Sequence, residues 1–547
     1  MTDLELTKKI SKLQANENTV TKKDLITFYW TRKNPNLILN ILDTFTENEN
    51  VIYDPFMGSA PILYSMDKCE KSLRFIGSEI NEMPISFIKF NLNDLNEKSL
   101  NELRKNFLRF FDKYKYLYEY KSPHYKEEIT LSKLVFDVID GKNKVKEFYF
   151  SNKEKLVISE CSEGYAVCEK DYVERCNELA SSAKDNDTAL ITNSRIAVKE
   201  GMLLSHLFNP INFYVLTQFS KEFADDKLML NILSSVLHLC RLTDLKSQSQ
   251  FPYWIPKKDV VERNILLLML KKINEIVKSK KTNTLNLNLV DKFEDLQKHN
   301  KSVLILNKPS QLVSADEVPN NSVDYVITDP PYFDQVAYSE YLKIWEHICH
   351  LKSNLNDEII FSNRKVAPSN EQQYLENLTK CFSVVASKLK DSGVAIIFFK
   401  DSKPKNIHLF LKSMEDAGLT FIRALHIGNK KYTYKQNTTQ DTTVDGECLF
   451  FFDKGINKQK IKYEEIMLDT KELKNKTEKI VKDFTLQYLR NNKEASLGEL
   501  YDNGLIYALY VSGILRKISS SKIIVEILNE NFELQGNRRY VIDSAKI

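Results

Sequence analysis

Apolar positions along the chain fall into two stretches of strand-and-helix alternation, separated by a long interval of mostly helical pattern. The first opens with ENVIYDPF, a strand over Val51 to Tyr53, continues as an apolar helix from Pro61 to Met66, and returns in RFIGSEI as a short strand ending at Glu79. In NEMPISFIKFNL, Ile85, Ile88 and Leu92 repeat at helical spacing, with Pro84 tolerated in the first turn. Strand, helix, strand, helix is the opening of a parallel sheet.

The second stretch begins with two apolar runs, SVLILNKPS and VDYVITDPPY. Leu342, Trp345 and Ile348 in YLKIWEHI then mark a helix, GVAIIFFK a strand, and NIHLFLKSMEDAGL a helix stopped near Gly418. TFIRALHI and GECLFFF read as a closing pair of strands joined by a polar loop. Joined in space, the two stretches predict a doubly wound α/β domain with a seven-strand, Rossmann-like sheet, its halves at 1–95 and 301–453. The gap of roughly two hundred residues between them is too long for a loop, so 96–300 is expected to be an inserted domain.

The insert reads as mostly helical and rich in Lys and Tyr. FLRFFDKYKYLYEYKSPHYK interleaves basic and aromatic side chains, a pattern that suits either stacking on a nucleic acid strand or an amphipathic helix with snorkelling lysines. KEFYFSNKEKLVIS and GYAVCEK look like a small sheet. Past Asp453 a charged, linker-like run leads to a compact α+β unit, 465–547, whose helices and strand-like RRYVID suit a winged-helix module.

Composition narrows the class. With 547 residues and 42% hydrophobic side chains, the chain has material for two to four domains. A formal net charge of +4 makes no case for nucleic acid across the whole surface, although a basic groove fits within such an average. Cys69, Cys161, Cys168, Cys176, Cys240, Cys349, Cys381 and Cys448 form no CxxC pair, which argues for reduced thiols and against a metal site. No apolar run approaches the ~18 residues of a membrane span, and the expectation is a soluble cytoplasmic protein.

The chemistry concentrates at strand ends. Ligands of doubly wound sheets bind outside the carboxyl ends of the strands, which delivers Asp329 of VITDPPY to that crevice. Pro330 and Pro331 fix φ and carry no N–H, so a rigid carbonyl beside the aspartate makes an acceptor pair for one amino group. Tyr332 can then lie flat against the ring that bears the amine. Such a pair suits the exocyclic amine of adenine or cytosine, whose lone pair is otherwise delocalised into the ring. A base in a duplex would reach the site only by flipping out. In YDPFMGSA, an acid and a glycine turn precede a helix terminus, and Glu79 follows the second strand where dinucleotide folds place a ribose-binding acid. A nucleoside with a carboxylate tail fits both. Blander readings stand beside these: Glu79 as a helix cap, Phe56 as core, Tyr332 as a packed aromatic with its hydroxyl satisfied, Asn209 and Pro210 as a helix entry, Trp254 as core.

At these residues the chain resembles the S-adenosylmethionine-dependent amino-methyltransferases of DNA, through DPFMGS, similar to their cofactor motif, and DPPY, similar to their catalytic tetrapeptide. The resemblance implies that Asp54, Pro55, Phe56, Gly58 and Ser59 line the methionine end of S-adenosyl-L-methionine and that Glu79 holds its ribose. It assigns Asp329, Pro330, Pro331 and Tyr332 to the target base, with Asp329 also beside the cofactor. FYWTRKNPNLI resembles a segment that closes over the cofactor, which makes Thr31 to Pro35 candidate contacts. LFNPINFYVLTQF, FPYWIPKKDVVERN and DPPYFDQVAYSEYLKIW look like a group of large bacterial adenine-specific methylases associated with restriction-modification or phage defence. Double-stranded DNA with a flipped base and a companion endonuclease or defence subunit are the implied partners. Cytosine N4, an RNA amine, and a non-catalytic cofactor-binding or DNA-recognition role stay open. The chain departs from the family pattern in having Ala60 where a second glycine is usual, NKPSQL where an acid often contacts the cofactor adenine, and no cysteine spacing for a zinc ribbon.

Overall fold

The computed structural model describes residues 8–9, 13, 33–92, 95–121, 128–139, 142–153, 155–157, 163–184, 187–245, 253–280, 285–333, 336–401, 403–427, 447–455, 469–536 and 538–542. Helix α1 (Pro35–Phe45), capped by the Asn34 side chain, leads into strand β1 (Val51–Asp54), helix α2 (Pro61–Lys68), strand β2 (Arg74–Ser78) and helix α3 (Glu82–Leu92). After the insert come β3 (Asn288–Val290), β4 (Ser302–Leu306), β5 (Val323–Thr328), α4 (Glu371–Lys388), β6 (Leu389–Phe398), α5 (Pro404–Asp416), β7 (Thr420–Ile427) and β8 (Glu447–Asp453).

These strands form one sheet in the order β7-β8-β6-β5-β1-β2-β4-β3. The ladders from β6 to β3 are parallel, and β8 runs antiparallel between β6 and β7. The expected seven strands are all present, and the sheet has an eighth, β3, drawn from the stretch assigned to the insert. Its three residues bury only Val290, which is too short a pattern to announce a strand. Successive residues of the central strands alternate between two cores. Ile52, Phe75 and Ile327 pack under α1 and α2, while Tyr53, Ile76 and Val326 pack under α4 and α5. The sheet is thus covered on both faces, the arrangement in which parallel strands are stable.

The insert combines helices with a five-stranded sheet built on the hairpin Glu128–Ile139 and Lys142–Phe150. KEFYFSNKEKLVIS does supply strands, but GYAVCEK lies in the helix Glu163–Lys184. Tyr165, Cys168 and Tyr172 recur there at helical spacing and are buried together, a period that outweighs the β-propensity of the short run. α3 ties the two bodies: Ile85 and Ile88 face the sheet core, and Met83, Phe87 and Phe90 face the insert core. So does the helix Lys343–Cys349 after the DPPY run, whose Trp345 Nε1 donates to the Ser234 carbonyl of the insert at 2.9 Å.

The C-terminal unit carries the helix Thr470–Asn492, a three-stranded antiparallel sheet and the helix Ser521–Asn531. It shares a continuous core with α4, α5 and the sheet face. A buried contact of 2.7 Å between His426 Nδ1 and Asp502 Oδ2 joins it to β7. No helix among the described residues is long and apolar enough to cross a membrane, and no group of three His, Cys, Asp or Glu among them is placed to hold a metal.

Candidate active site

β1 is buried over all four residues and ends on Asp54. Asp54 Oδ1 accepts from the Phe56 amide at 3.0 Å and from Thr328 Oγ1 at 2.6 Å, so the carboxylate starts the glycine turn and ties β1 to the end of β5. The turn is then fastened to β2. The Met57 amide donates to the Ser78 carbonyl, and the Gly58 amide donates to Glu79 Oε2 at 3.0 Å. Gly58 has φ of 50°, a conformation that favours glycine. Gly77 is needed for room, since a Cβ there would lie 2.2 Å from Met57 Sδ. The other oxygen of Glu79 accepts from the Asn81 amide at 2.9 Å. Glu79 is therefore the clasp of the turn as well as the acid at the strand end. Burial raises both carboxyls, Asp54 and Glu79, to about 7 against the pull of their hydrogen bonds.

The ends of β1 and β5 adjoin at the point where strand order reverses, the place doubly wound sheets use for ligands. Asp329 stands there with about a third of its side chain accessible (32%). Burial raises its proton affinity, and Lys33 and the Tyr332 hydroxyl counter that effect. Lys33 Nζ lies 3.3 Å from Asp329 Oδ1 and 2.9 Å from Glu447 Oε2, over the rings of Phe398 and Tyr332. Burial pulls the Lys33 ammonium down, but the two carboxylates prevail and hold it above its ordinary range.

One cleft is lined by Asp54, Pro55, Phe56, Gly58, Ser59, Glu79, Asp329, Pro330 and Pro331, so the two motifs meet although the insert separates them in the chain. Tyr332 is placed differently from the expectation. Its ring is buried edge-on against Phe399 and its hydroxyl donates to Asp329, so no ring face is offered to a base. Packing a phenol ring in the core and satisfying its hydroxyl outweighs exposing it. The Pro331 carbonyl accepts from the Tyr374 hydroxyl at 2.7 Å, which leaves Pro330 as the proline whose carbonyl is to be matched with Asp329. Thr31 lies outside the described residues; Lys33 represents that segment at the site.

Several cleft residues had no local signal. Phe398 closes β6, Ser310 and Gln311 belong to the NKPSQL run, and Glu358 with Ile359 and Ile360 form a wall. Of the insert residues singled out, Asn209 is packed inside, whereas Trp254, read as core, is not buried. Asn209 Nδ2 donates to the buried Glu262, and Asn212 binds the Tyr118 hydroxyl and two carbonyls. The alternating basic and aromatic run starts in the helix Glu97–Tyr114, with Phe107, Phe110 and Tyr114 in the core and Arg109 and Lys113 in solvent. Trp254 keeps 44% of its surface exposed.

No curated protein matches the chain. A family model does match over residues 323–521, from the first residue of β5 into the C-terminal unit, a range that contains Asp329 to Tyr332 and leaves the glycine turn outside. That model is the one for N6/N4 methyltransferases, described as DNA methylase, and the match supports DNA methyltransferase activity without separating adenine N6 from cytosine N4.

Proposed function

We propose that the chain moves a methyl group from S-adenosyl-L-methionine to the N6 amine of an adenine flipped out of duplex DNA. The observation that carries the reading is the shared cleft: the glycine turn with Glu79 and the Asp329–Pro330 corner open onto one space at the switch point of the sheet.

The residues present fit the cofactor. Asp54, Glu79 and Asp329 bring carboxylates to a cleft whose walls include Ile38, Ile62, Ile359 and Phe398, a setting for a cationic, partly apolar nucleoside. Asp54 to Ser59 and the start of α2 would receive its methionine end, and Glu79 its ribose hydroxyls. When bound, the cofactor supplies an electrophilic methyl group on a sulfonium.

Asp329 accepts one N–H of the target amine and the Pro330 carbonyl the other, which localises the nitrogen lone pair for in-line attack. The proton that the amine gives up leaves past Asp329 to solvent. Tyr332 acts through its hydroxyl, which fixes the Asp329 carboxylate, and Lys33 balances the acid until substrate enters. The insert, with the C-terminal unit read as a winged-helix module, would engage the duplex. The resemblance to large bacterial adenine methylases supports a cytoplasmic role in restriction-modification or phage defence beside a companion endonuclease or defence subunit.

The test is label transfer from S-adenosylmethionine to unmodified genomic DNA, with RNA and Asp329→Ala in parallel and nucleosides identified by mass spectrometry. N6-methyladenine that disappears in the variant supports the reading; N4-methylcytosine or label in RNA reassigns the substrate. Undiminished transfer by Asp329→Ala with cofactor still bound sinks the mechanism.

A further inference from the structure

Two neighbours in the short helix Tyr338–Tyr341 point to different bodies. The Ser339 amide donates to Glu358 Oε1 at 2.9 Å, and its hydroxyl lies 3.3 Å from Asn81 Oδ1. Asn81 and Glu358 both line the cleft. Glu340 turns to the insert instead: Oε1 accepts from Asn193 Nδ2 at 3.0 Å, and its carbonyl accepts from the Tyr253 hydroxyl.

Arg364 closes the circuit. With 1% of its side chain exposed, it places Nη1 2.6 Å from Glu358 Oε2 and 3.6 Å from Glu340 Oε2. Nε donates to the Ala367 carbonyl and Nη2 to the Leu355 carbonyl. A guanidinium between two buried carboxylates is costly to desolvate and is a poor source of net stability. Burial raises the proton affinity of both acids even beside the arginine. What the rigid fork of Arg364 supplies is fixed geometry between a cleft wall and a helix held by the insert.

We propose that Arg364 is a positioning residue that couples the cofactor cleft to DNA held by the insert, an inference that rests on the methyltransferase reading above. Displacement of Asn193 or Tyr253 on DNA binding moves Glu340, and Arg364 transfers that movement to Glu358. By linkage, DNA then tightens cofactor binding and the cofactor tightens DNA binding by the same factor.

The test measures the dissociation constant of S-adenosylmethionine with and without saturating duplex DNA, in the full chain and in Arg364→Lys and Glu340→Gln. The wild type is expected to gain on the order of tenfold in cofactor affinity with DNA. In both variants the gain should fall close to one, while each ligand alone binds within about threefold of wild type. Glu340→Gln is isosteric and serves as the deciding variant if Arg364→Lys lowers the melting temperature. A variant that keeps the full gain overturns the coupling, as does a wild type that binds both ligands independently. A variant that weakens both ligands alone in step with lost stability shows a structural role and also overturns it. A wild type that binds neither ligand overturns the methyltransferase reading itself.

Discussion

Lys33 Nζ sits 3.3 Å from Asp329 Oδ1 and 2.9 Å from Glu447 Oε2, so one ammonium from the segment before α1 holds together the carboxylate that follows β5 and the one that begins β8. No part of this pairing is local in the chain. It places a cation where the target amine is proposed to bind, and it counters the burial that raises the proton affinity of Asp329.

Replacing Lys33 should therefore act through Asp329. The lysine charge lowers the proton affinity that burial raises, so Lys33→Met moves the Asp329 carboxyl further upward. The acid limb of the pH–rate profile is expected to shift to higher pH, with a loss on the order of tenfold in methyl transfer at neutral pH. An acid limb that stays in place in Lys33→Met would separate Lys33 from the catalytic acid.

The glycine turn carries a pH dependence of unusual sign. Asp54 and Glu79 start from ordinary values of 3.8 and 4.5 and stand near 7 in the folded protein because burial disfavours their charge. Between those values the native state holds protons that the unfolded chain has released. Their contribution to stability is full below about pH 4 and is lost as pH rises through 7, at up to about 1.4 kcal/mol per pH unit for each group. Urea midpoints from pH 5 to 8 should show this fall flattened in Asp54→Asn and in Glu79→Gln. A wild-type slope identical to that of the variants would mean that neither carboxyl is protonated in the fold.

The same two acids predict how the cofactor binds. A sulfonium cation favours ionised carboxylates, so S-adenosylmethionine affinity should rise between pH 6 and 8, and the demethylated product, which lacks the sulfonium charge, should show a weaker rise. Calorimetric titrations of both ligands at the two pH values make the comparison. Equal pH dependence for the two would remove the charge argument.

Strand ends were legible because their signals are local. Asp54, Gly58, Glu79 and Asp329 each follow an apolar run, and the structure brings all four to one cleft. What could not be read depends on partners far along the chain. The orientation of Tyr332 is decided by Phe399 and by the Phe398 carbonyl, 66 positions away, and Lys33 meets Glu447 across 414 positions. The helical state of GYAVCEK was hidden because seven residues show barely two turns, whereas the full buried series Tyr165, Cys168, Tyr172 needs the next segment. Asn209 was legible as a helix entry, since it immediately precedes the helix Pro210–Glu222, but the acceptor of its side chain, Glu262, lies in a strand fifty positions on. The wall formed by Glu358 to Ile360 belongs to no regular element, so periodicity has nothing to report there.

Ala60 offers the last prediction, since it is a non-glycine residue with positive φ in the glycine turn. It precedes α2 with φ of 47° and ψ of 59°, makes no side-chain cap bond, and is fully buried. A left-handed backbone costs an L-residue roughly 1–2 kcal/mol, and glycine escapes that cost while losing about 0.5–1 kcal/mol through the greater freedom of its unfolded chain. The difference favours Ala60→Gly by about 0.5 kcal/mol, and loss of the buried methyl group costs about 0.8 kcal/mol, so the urea midpoint should change little. Ala60→Val should lose more than about 2 kcal/mol, because a β-branched side chain resists positive φ and adds two methyl groups at a fully buried position. Ala60 does not line the cleft, so cofactor affinity should be the same in Ala60→Gly as in the wild type. A glycine variant clearly less stable than alanine would mean that the methyl group packs for more than the turn costs, and that alanine is held at this position by the core beneath α2.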